Sequence, residues 1–371
     1  MRLIANWNEA ASRVVGRRDF NRMLAASGLA VVAFPLLSRN GSAAEEIEYF
    51  TWSGYEIPEL HPGYIEKYDG TPKLELNGEE EEALQKIRAG ATPDVVHPCS
   101  ENIGRWRDAG VLKPIDVSRL SHWPDIWERL KAIEGTVTAD GQHWFVPIEW
   151  GNSSALYRTD LVELEEESWS LMFDERYKGR IGMRDLADSA IQIAAMVLGY
   201  DNLFSLDDAQ LEKIGELLRR QRALVPFYWS DVTTIENGLA SGELVVAYAW
   251  NSSAVKLTDQ GVPVKYMTPK EGRFTWVCGL VLAAEGAGDE AAAYDFIDAM
   301  LSPEAGRYFI EEFGYGHSSE KAFDSASRET LDKLGLSTPT EMFNTTVFQR
   351  PVPAAYEQKY IQLWEAIKTG Q

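Results

Sequence analysis

Cysteine is nearly absent from this chain: Cys99 and Cys278 are the only two in 371 residues. Two thiols exclude a disulfide-stapled scaffold and a four-cysteine zinc site. Histidine is also scarce. His61, His97, His122, His143 and His317 are dispersed, and the nearest approach to a metal motif, His97-Pro98-Cys99, has no further ligands beside it. Neither a metal nor a cofactor is expected. Positive charge is in deficit: 36 Lys+Arg stand against 57 Asp+Glu, giving a formal net charge of −21 and a pI of about 4.7. So acidic a chain lacks the basic stripe that phosphate backbones require and is repelled by anionic lipid, which argues against nucleic-acid and membrane-surface partners. The charge reads as a soluble, self-repelling surface and does not by itself select a cationic ligand. GxGxxG and CxxCH motifs are missing, as is any short-period repeat. No Ser/His/Asp arrangement or paired-carboxylate motif stands out, so the chain is expected not to be an enzyme.

What is present is a globular composition, 45% hydrophobic and 25% charged. The length is too great for one ordinary core and suits two lobes of ~150 residues or more. At the N-terminus, Arg17-Arg18-Asp19-Phe20 and Arg22 precede a moderate apolar stretch over 23–37 that ends at Ser42-Ala43-Ala44. A basic region, an apolar region and a small-x-small site form a cleavable export signal over residues 1–44, with an uncleaved N-terminal anchor as the alternative, and the paired arginines make it resemble the twin-arginine class. The apolar stretch falls short of the ~20 residues that span a bilayer. A periplasmic, monomeric mature chain is therefore expected. Export of folded, cofactor-loaded proteins by this route keeps an exported enzyme as a distant alternative.

Along the mature chain, β-rich segments over 46–52, 73–76 and 94–96 alternate with helical patterns over 58–68, 79–89 and 102–109. Residues 145–148 lead out of this first α/β unit. A second unit follows, with strands over 181–183, 243–250 and 276–283 and helices over 187–198 and 207–224, the latter with basic residues in its last turns. Helices are expected over 291–301, 303–313 and 353–369. Strands alternating with helices imply parallel βαβ units, and the lack of a flexible linker implies that the chain passes between lobes on extended strands.

Several motifs in order then show a resemblance: Phe50-Thr51-Trp52-Ser53-Gly54-Tyr55, Pro93-Asp94-Val95-Val96, Pro147-Ile148-Glu149-Trp150-Gly151, Tyr177-Lys178-Gly179-Arg180-Ile181, Ala249-Trp250-Asn251-Ser252-Ser253-Ala254, Pro269-Lys270-Glu271-Gly272 with Trp276, and Ser302-Pro303-Glu304 with Gly314-Tyr315. Over nearly the whole mature chain the sequence resembles the periplasmic spermidine/putrescine-binding proteins of ABC transporters. The resemblance implies the α/β, two-lobed periplasmic-binding-protein fold, each lobe a mixed sheet flanked by helices with a ligand cleft at the hinge. Lobe one is expected over 45–148 with 278–325, and lobe two over 149–277 with 326–371. The implied partners are a small-molecule ligand and the membrane permease of the importer.

The resemblance also implies site residues. Trp52, Tyr55, Trp250, Trp276 and Tyr315 match cleft aromatics, and their places at strand ends suit cation–π and methylene contacts. Core or rim packing is the alternative for each. Ser53, Ser100 and Ser230 match or neighbour polar contacts, with turn and cap chemistry as the alternative. The family's acids are mostly replaced. Gly54, Ser253 and Cys278 stand at acid positions, and Leu186 and Ser189 at a further pair, with Asp185 and Asp188 one residue away. Glu101, Glu149, Asp185 and Asp188 are the carboxylates that could compensate. Two readings follow: an amine or polyamine receptor, or the same receptor role for a mono-amine, zwitterion or organic acid. Arg350, if it lies in the cleft, favours a carboxylate. In the family's sheet order the strands leading to Cys99 and Cys278 are antiparallel neighbours, which allows a disulfide in an oxidising compartment. Two free thiols are the alternative.

Overall fold

A computed structural model describes residues 46–78 and 80–370. The export-signal residues, Arg17 and Arg18 among them, lie outside the described residues. Among those described there are twelve strands: β1 (Glu48–Trp52), β2 (Lys73–Asn77), β3 (Val95–Val96), β4 (Leu112–Lys113), β5 (Val146–Arg158), β6 (Ile181–Arg184), β7 (Tyr228–Trp229), β8 (Val246–Trp250), β9 (Val264–Tyr266), β10 (Phe274–Ala283), β11 (Gly316–His317) and β12 (Val347–Phe348). Their order is β2-β1-β3-β10-β5-β8-β6-β7, with β4 and β12 pairing β10 and with β9 and β11 pairing β5.

The parallel pairs fall at the two ends of this path. β1 pairs β2 and β3 in parallel, and β6 pairs β7 and β8 in parallel. In the first group the helices Pro62–Tyr68 and Glu80–Arg88 make the crossovers, as parallel strands require. The helix expected over 58–68 divides into a 3-10 turn, Pro58–Leu60, and the α-helix Pro62–Tyr68, because Pro62 has no N–H to continue the ladder. In the second group, Asp207 and Gln210 form a reciprocal capping box that starts Asp208–Arg222.

The middle of the sheet is antiparallel. β10 runs against both β3 and β5, and β5 runs against β8. These two long strands join two hydrophobic cores. β5 gives Val146, Ile148 and Trp150 to the first core and Ala155, Leu156 and Tyr157 to the second. β10 gives Phe274 to the second and Val277 and Leu280 to the first. Phe50, Trp106, Phe296 and Phe309 fill the first core, and Leu331, Leu334, Leu336 and Phe343 also pack in it. Trp169, Ile191, Leu218, Tyr360 and Trp364 fill the second.

β5 continues far beyond Ile148, where the sequence pattern ends. Gly151, Asn152, Ser153 and Ser154 carry the composition of a turn, yet all are buried within the strand. Ladder partners on both edges satisfy the backbone. The side chains are satisfied too: Ser154 Oγ donates to Met267 O at 2.8 Å, and Thr275 Oγ1 donates to Asn152 Oδ1 at 2.7 Å. Buried polar groups are tolerated when they are paired in this way. Cys99, just beyond β3, and Cys278 in β10 are joined by a disulfide spanning 179 residues of sequence. Among the described residues no helix is long and apolar enough to cross a membrane.

Candidate functional site

The carboxyl ends of the parallel strands of both groups carry several residues singled out in the sequence and two, Arg184 and Trp229, that were not. Trp52 closes β1, and Cys99-Ser100-Glu101 follow β3. Arg184 closes β6, Trp229 closes β7 and Trp250 closes β8. In open α/β sheets this is where ligands sit. Register then fixes neighbours: Trp276 of β10 lies opposite Gly151, and Trp250 of β8 lies opposite Ser153, on the two edges of β5. The two indoles therefore flank one strand two residues apart, roughly 7 Å along it.

Each aromatic is braced. The Trp276 ring rests on Gly151, which has no side chain to hold it off, and meets Tyr315 edge-on with centroids 4.9 Å apart. Trp250 meets Trp229 edge-on at 5.5 Å, and the Arg184 guanidinium lies over the Trp250 ring at 5.1 Å. After Trp52 the chain turns tightly, with Tyr55 N donating to Trp52 O at 3.1 Å and Gly54 at φ 98°. Ser53 is exposed in that turn. Tyr55 packs edge-on against His97 at 4.9 Å and donates its hydroxyl to Glu149 Oε1 at 3.2 Å.

Glu149 anchors a buried polar chain. It is 1% exposed, and His97 Nε2 lies 3.0 Å from its Oε1. His97 Nδ1 meets the hydroxyls of Tyr49 at 2.9 Å and Thr51 at 3.1 Å. A buried carboxylate needs such partners. The His97-Pro98-Cys99 motif is thus divided between this network and the disulfide. Burial and the nearby Glu149 carboxylate push the Tyr55 hydroxyl well above its ordinary pKa.

A second polar group lies where the two cores face each other. Glu101 belongs to the loop after β3, and Asp188 belongs to the helix Ala187–Val197. Burial pushes the Glu101 carboxyl up to about 7, with the Asp188 charge adding to the rise and Arg184 opposing it. Burial, with a smaller contribution from Glu357, pushes Asp188 up to about 6. Glu80 holds the loop in place by accepting from Cys99 N at 2.7 Å and from Asn102 Nδ2. Burial first, then Glu101, raises its pKa as well. Ser100 is fully buried with its hydroxyl against the Glu101 carboxyl, and Trp229 Nε1 and Trp276 Nε1 are buried without a partner among the described residues. Native interiors leave few such atoms unsatisfied.

Other sequence candidates are engaged elsewhere. Asp185 is committed to the C-terminal helix, accepting from Trp364 Nε1 at 2.9 Å and pairing with Lys368 at 2.8 Å; Asp188, one turn on, is the acid whose charge reaches Glu101. Ser189 turns into the second core, with its Oγ 3.4 Å from Tyr248 Oη. Ser253 donates to the buried Glu236 at 2.8 Å. Ser230 is exposed just after β7. Arg350 pairs with Glu134 and lies over Phe204 at 4.6 Å, so it ties residues of the two core regions together rather than presenting a free cation. Arg184 and Trp229 were not legible as site residues. Their only sequence signal is their place at the last position of a short strand.

The profile of the bacterial extracellular solute-binding proteins matches residues 69–333. A putrescine/agmatine-binding protein of Pseudomonas aeruginosa is 25% identical over 369 residues, covering 94% of this chain and 98% of the relative. The putrescine-binding periplasmic protein PotF of Escherichia coli is 24% identical, covering 93% and 98%. Among solved structures, the spermidine/putrescine ABC transporter substrate-binding protein PotD from Streptococcus pneumoniae superposes with a TM-score of 0.76 at 21% identity, covering 88% of this chain and 99% of that one.

Proposed function

The chain belongs to the bacterial extracellular solute-binding protein family, and we propose that it is the periplasmic receptor of an ABC importer, closing two lobes over a small amine or related solute and delivering it to the membrane permease. The observation that carries this reading is the convergence, at the strand ends between two cores, of braced aromatic faces with buried indole N–H groups of Trp229 and Trp276 that have no partner among the described residues. A small solute with an apolar body and a few polar groups satisfies such a lining. The relatives' names, putrescine/agmatine-binding and putrescine-binding, support the amine class and the transport role. Membership of a solute-binding family, and relatives named for what they bind, support binding without turnover of the solute. It acts as a monomer.

The lobes divide within β5 and β10. We place lobe one at 45–148 with 278–325 and extend it through the stretch that carries Leu331 to Phe343, since those residues pack in the first core. The C-terminal helix Ala354–Thr369 stays with lobe two through Tyr360 and Trp364.

A thermal-shift screen of the mature protein over amines, amino acids, quaternary amines and carboxylates tests the receptor role. At 100 times its dissociation constant a solute adds about 2.7 kcal/mol; absence of any shift across all classes would refute the reading. A pH signature accompanies it. Glu101 and Asp188 bind protons more tightly in the folded protein, so without solute stability falls as pH rises from the unfolded carboxyl range of about 4 through about 6 and 7. A cationic solute group favours their charged forms. Binding is then expected to release protons near pH 6–7 and to tighten with rising pH across that window, as calorimetry in buffers of different ionisation enthalpy would show.

We also propose that residues 1–44 are a cleaved twin-arginine signal. Replacing Arg17 and Arg18 together by Lys is expected to leave the protein in the cytoplasm; wild-type export of that variant, read by fractionation and immunoblot, sinks the assignment.

A further inference from the structure

Arg184 is the unusual residue of the cleft. It ends β6, and its guanidinium lies 5.1 Å from the centroid of the Trp250 ring. It is half-buried and makes no side-chain hydrogen bond or ion pair to any described residue. A guanidinium presents five N–H donors in a fixed plane, and withdrawing it partly from water without an acceptor is costly. The indole face satisfies its charge in part and none of its donors. The group that matches those donors is a carboxylate, held by two parallel N–H···O bonds.

The surroundings add the opposite charge. Asp188 stands four residues beyond Arg184, in the first turn of the helix that follows β6, and Glu101 stands in the turn that follows β3, so both acids lie past carboxyl ends of parallel strands; the Asp188 charge raises the proton affinity of Glu101 and the Arg184 charge lowers it. They reach this place from different sides, Glu101 on the loop after β3 beside core residue Ile103, and Asp188 on the helix whose Ala187 and Ala190 lie in the second core. Beside them is the fully buried Ser100, whose hydroxyl faces the Glu101 carboxyl. A cation between the two carboxylates would relieve their mutual repulsion.

We infer that the solute is a zwitterion of the amino-acid type, its carboxylate bound by Arg184 against Trp250 and its ammonium bound between Glu101 and Asp188. This deepens the receptor reading and rests on it. A diamine fits poorly for two reasons. Arg184 already covers the Trp250 face that an ammonium would use, and a second ammonium would be brought beside a fixed positive charge. A dicarboxylate fits poorly because it would set a second negative charge against Glu101 and Asp188. The zwitterion answers both signs at once, and with one of the two carboxyls keeping its proton no buried charge is left unpaired.

The test uses the mature protein and calorimetric titration at pH 7.5. The probes are the twenty α-amino acids, 4-aminobutanoate and 5-aminopentanoate, with butane-1,4-diamine and butanedioate as the matched diamine and diacid. At least one amino acid is expected to bind 100-fold or more tightly than either matched probe. Arg184→Gln is expected to weaken that solute about 10- to 100-fold, the range for losing hydrogen bonds to a charged group, with Arg184→Lys recovering part of the loss. Both variants should melt close to wild type, since the side chain makes no internal hydrogen bond. Tightest binding of the diamine or the diacid overturns the inference, and so does unchanged affinity in Arg184→Gln. Those outcomes leave the receptor reading intact. If neither the amino acids nor any other class binds, both readings fall together.

Discussion

Gly151→Ala is expected to abolish solute binding while the protein still folds. A Cβ at residue 151 would stand 2.2 Å from Trp276 Cζ2, 2.7 Å from Cε2 and 2.9 Å from Cη2. These are ring atoms, and the ring cannot bend away. Trp276 and Gly151 face each other in the β10–β5 ladder, so the backbones cannot separate without breaking pairing on both sides of the hinge. Tyr315 braces the far edge at 4.9 Å. The indole must swing to another rotamer, which takes it off its position as a cleft wall. Overpacking of this kind costs about 1–3 kcal/mol of stability. The loss of recognition should be larger, 100-fold or more in affinity, because an aromatic wall and its N–H are displaced together. Gly54→Ala is the control: its φ is 98° with nothing within 4 Å of the added carbon, so it brings about 1 kcal/mol of backbone strain and no collision. Calorimetric titration of the solute found by thermal shift, alongside far-UV circular dichroism, reads both variants. Wild-type affinity in Gly151→Ala would show that Trp276 does not line the site.

The sequence carried the elements whose residues agree with their surroundings. Residues 46–52 alternate and contain Tyr, Phe, Thr and Trp; they form β1. The apolar run near 276–283 forms most of β10. β5 was only half legible, because a strand that passes between two cores and is paired on both edges can bury Gly, Asn and Ser, residues that elsewhere mark a turn. The site shows the same limit. Aromatics at strand ends can be read from order along the chain, whereas the choice between Asp185 and Asp188 cannot. It is made by Lys368 and Trp364, which come from a helix some 180 residues further on and capture Asp185. Arg184 was illegible for the opposite reason: among the described residues it meets the Trp250 face and makes no side-chain hydrogen bond or ion pair, which only the folded arrangement reveals. Arg350, whose place in or out of the cleft the sequence left open, pairs with Glu134.

Removing the disulfide is expected to have the largest effect on stability. Cys99 and Cys278 close a loop with a sequence separation of 179, and the chain-entropy relation for a loop of that length gives about 5 kcal/mol. For a chain of this size the Cys99→Ser, Cys278→Ser double variant should then melt on the order of 10 °C below wild type. The bridge also has a local role. It joins the loop carrying Ser100 and Glu101 to the crossing strand β10 at the point where the β10–β5 register shifts, between Cys278 and Gly279. Glu80 is the loop's other tether, through Cys99 N at 2.7 Å. With the bridge gone, the loop that carries Glu101 is left to the backbone bond from Gly279 N to Pro98 O at 3.0 Å and to Glu80, itself a buried carboxyl whose proton affinity is raised by burial and by Glu101. The double variant should therefore lose solute affinity as well as stability, and the loss should grow as pH rises and these carboxyls become charged. Wild-type protein kept in reductant should behave as the double variant does. Two measurements decide the matter: thiol titration of the denatured, unreduced mature protein, expected to find no free thiol, and the melting temperature of the double variant. Two titratable thiols per chain would remove the bridge from the argument, and a melting temperature within about 2 °C of wild type would show that native contacts along β3 and β10 hold the loop without it.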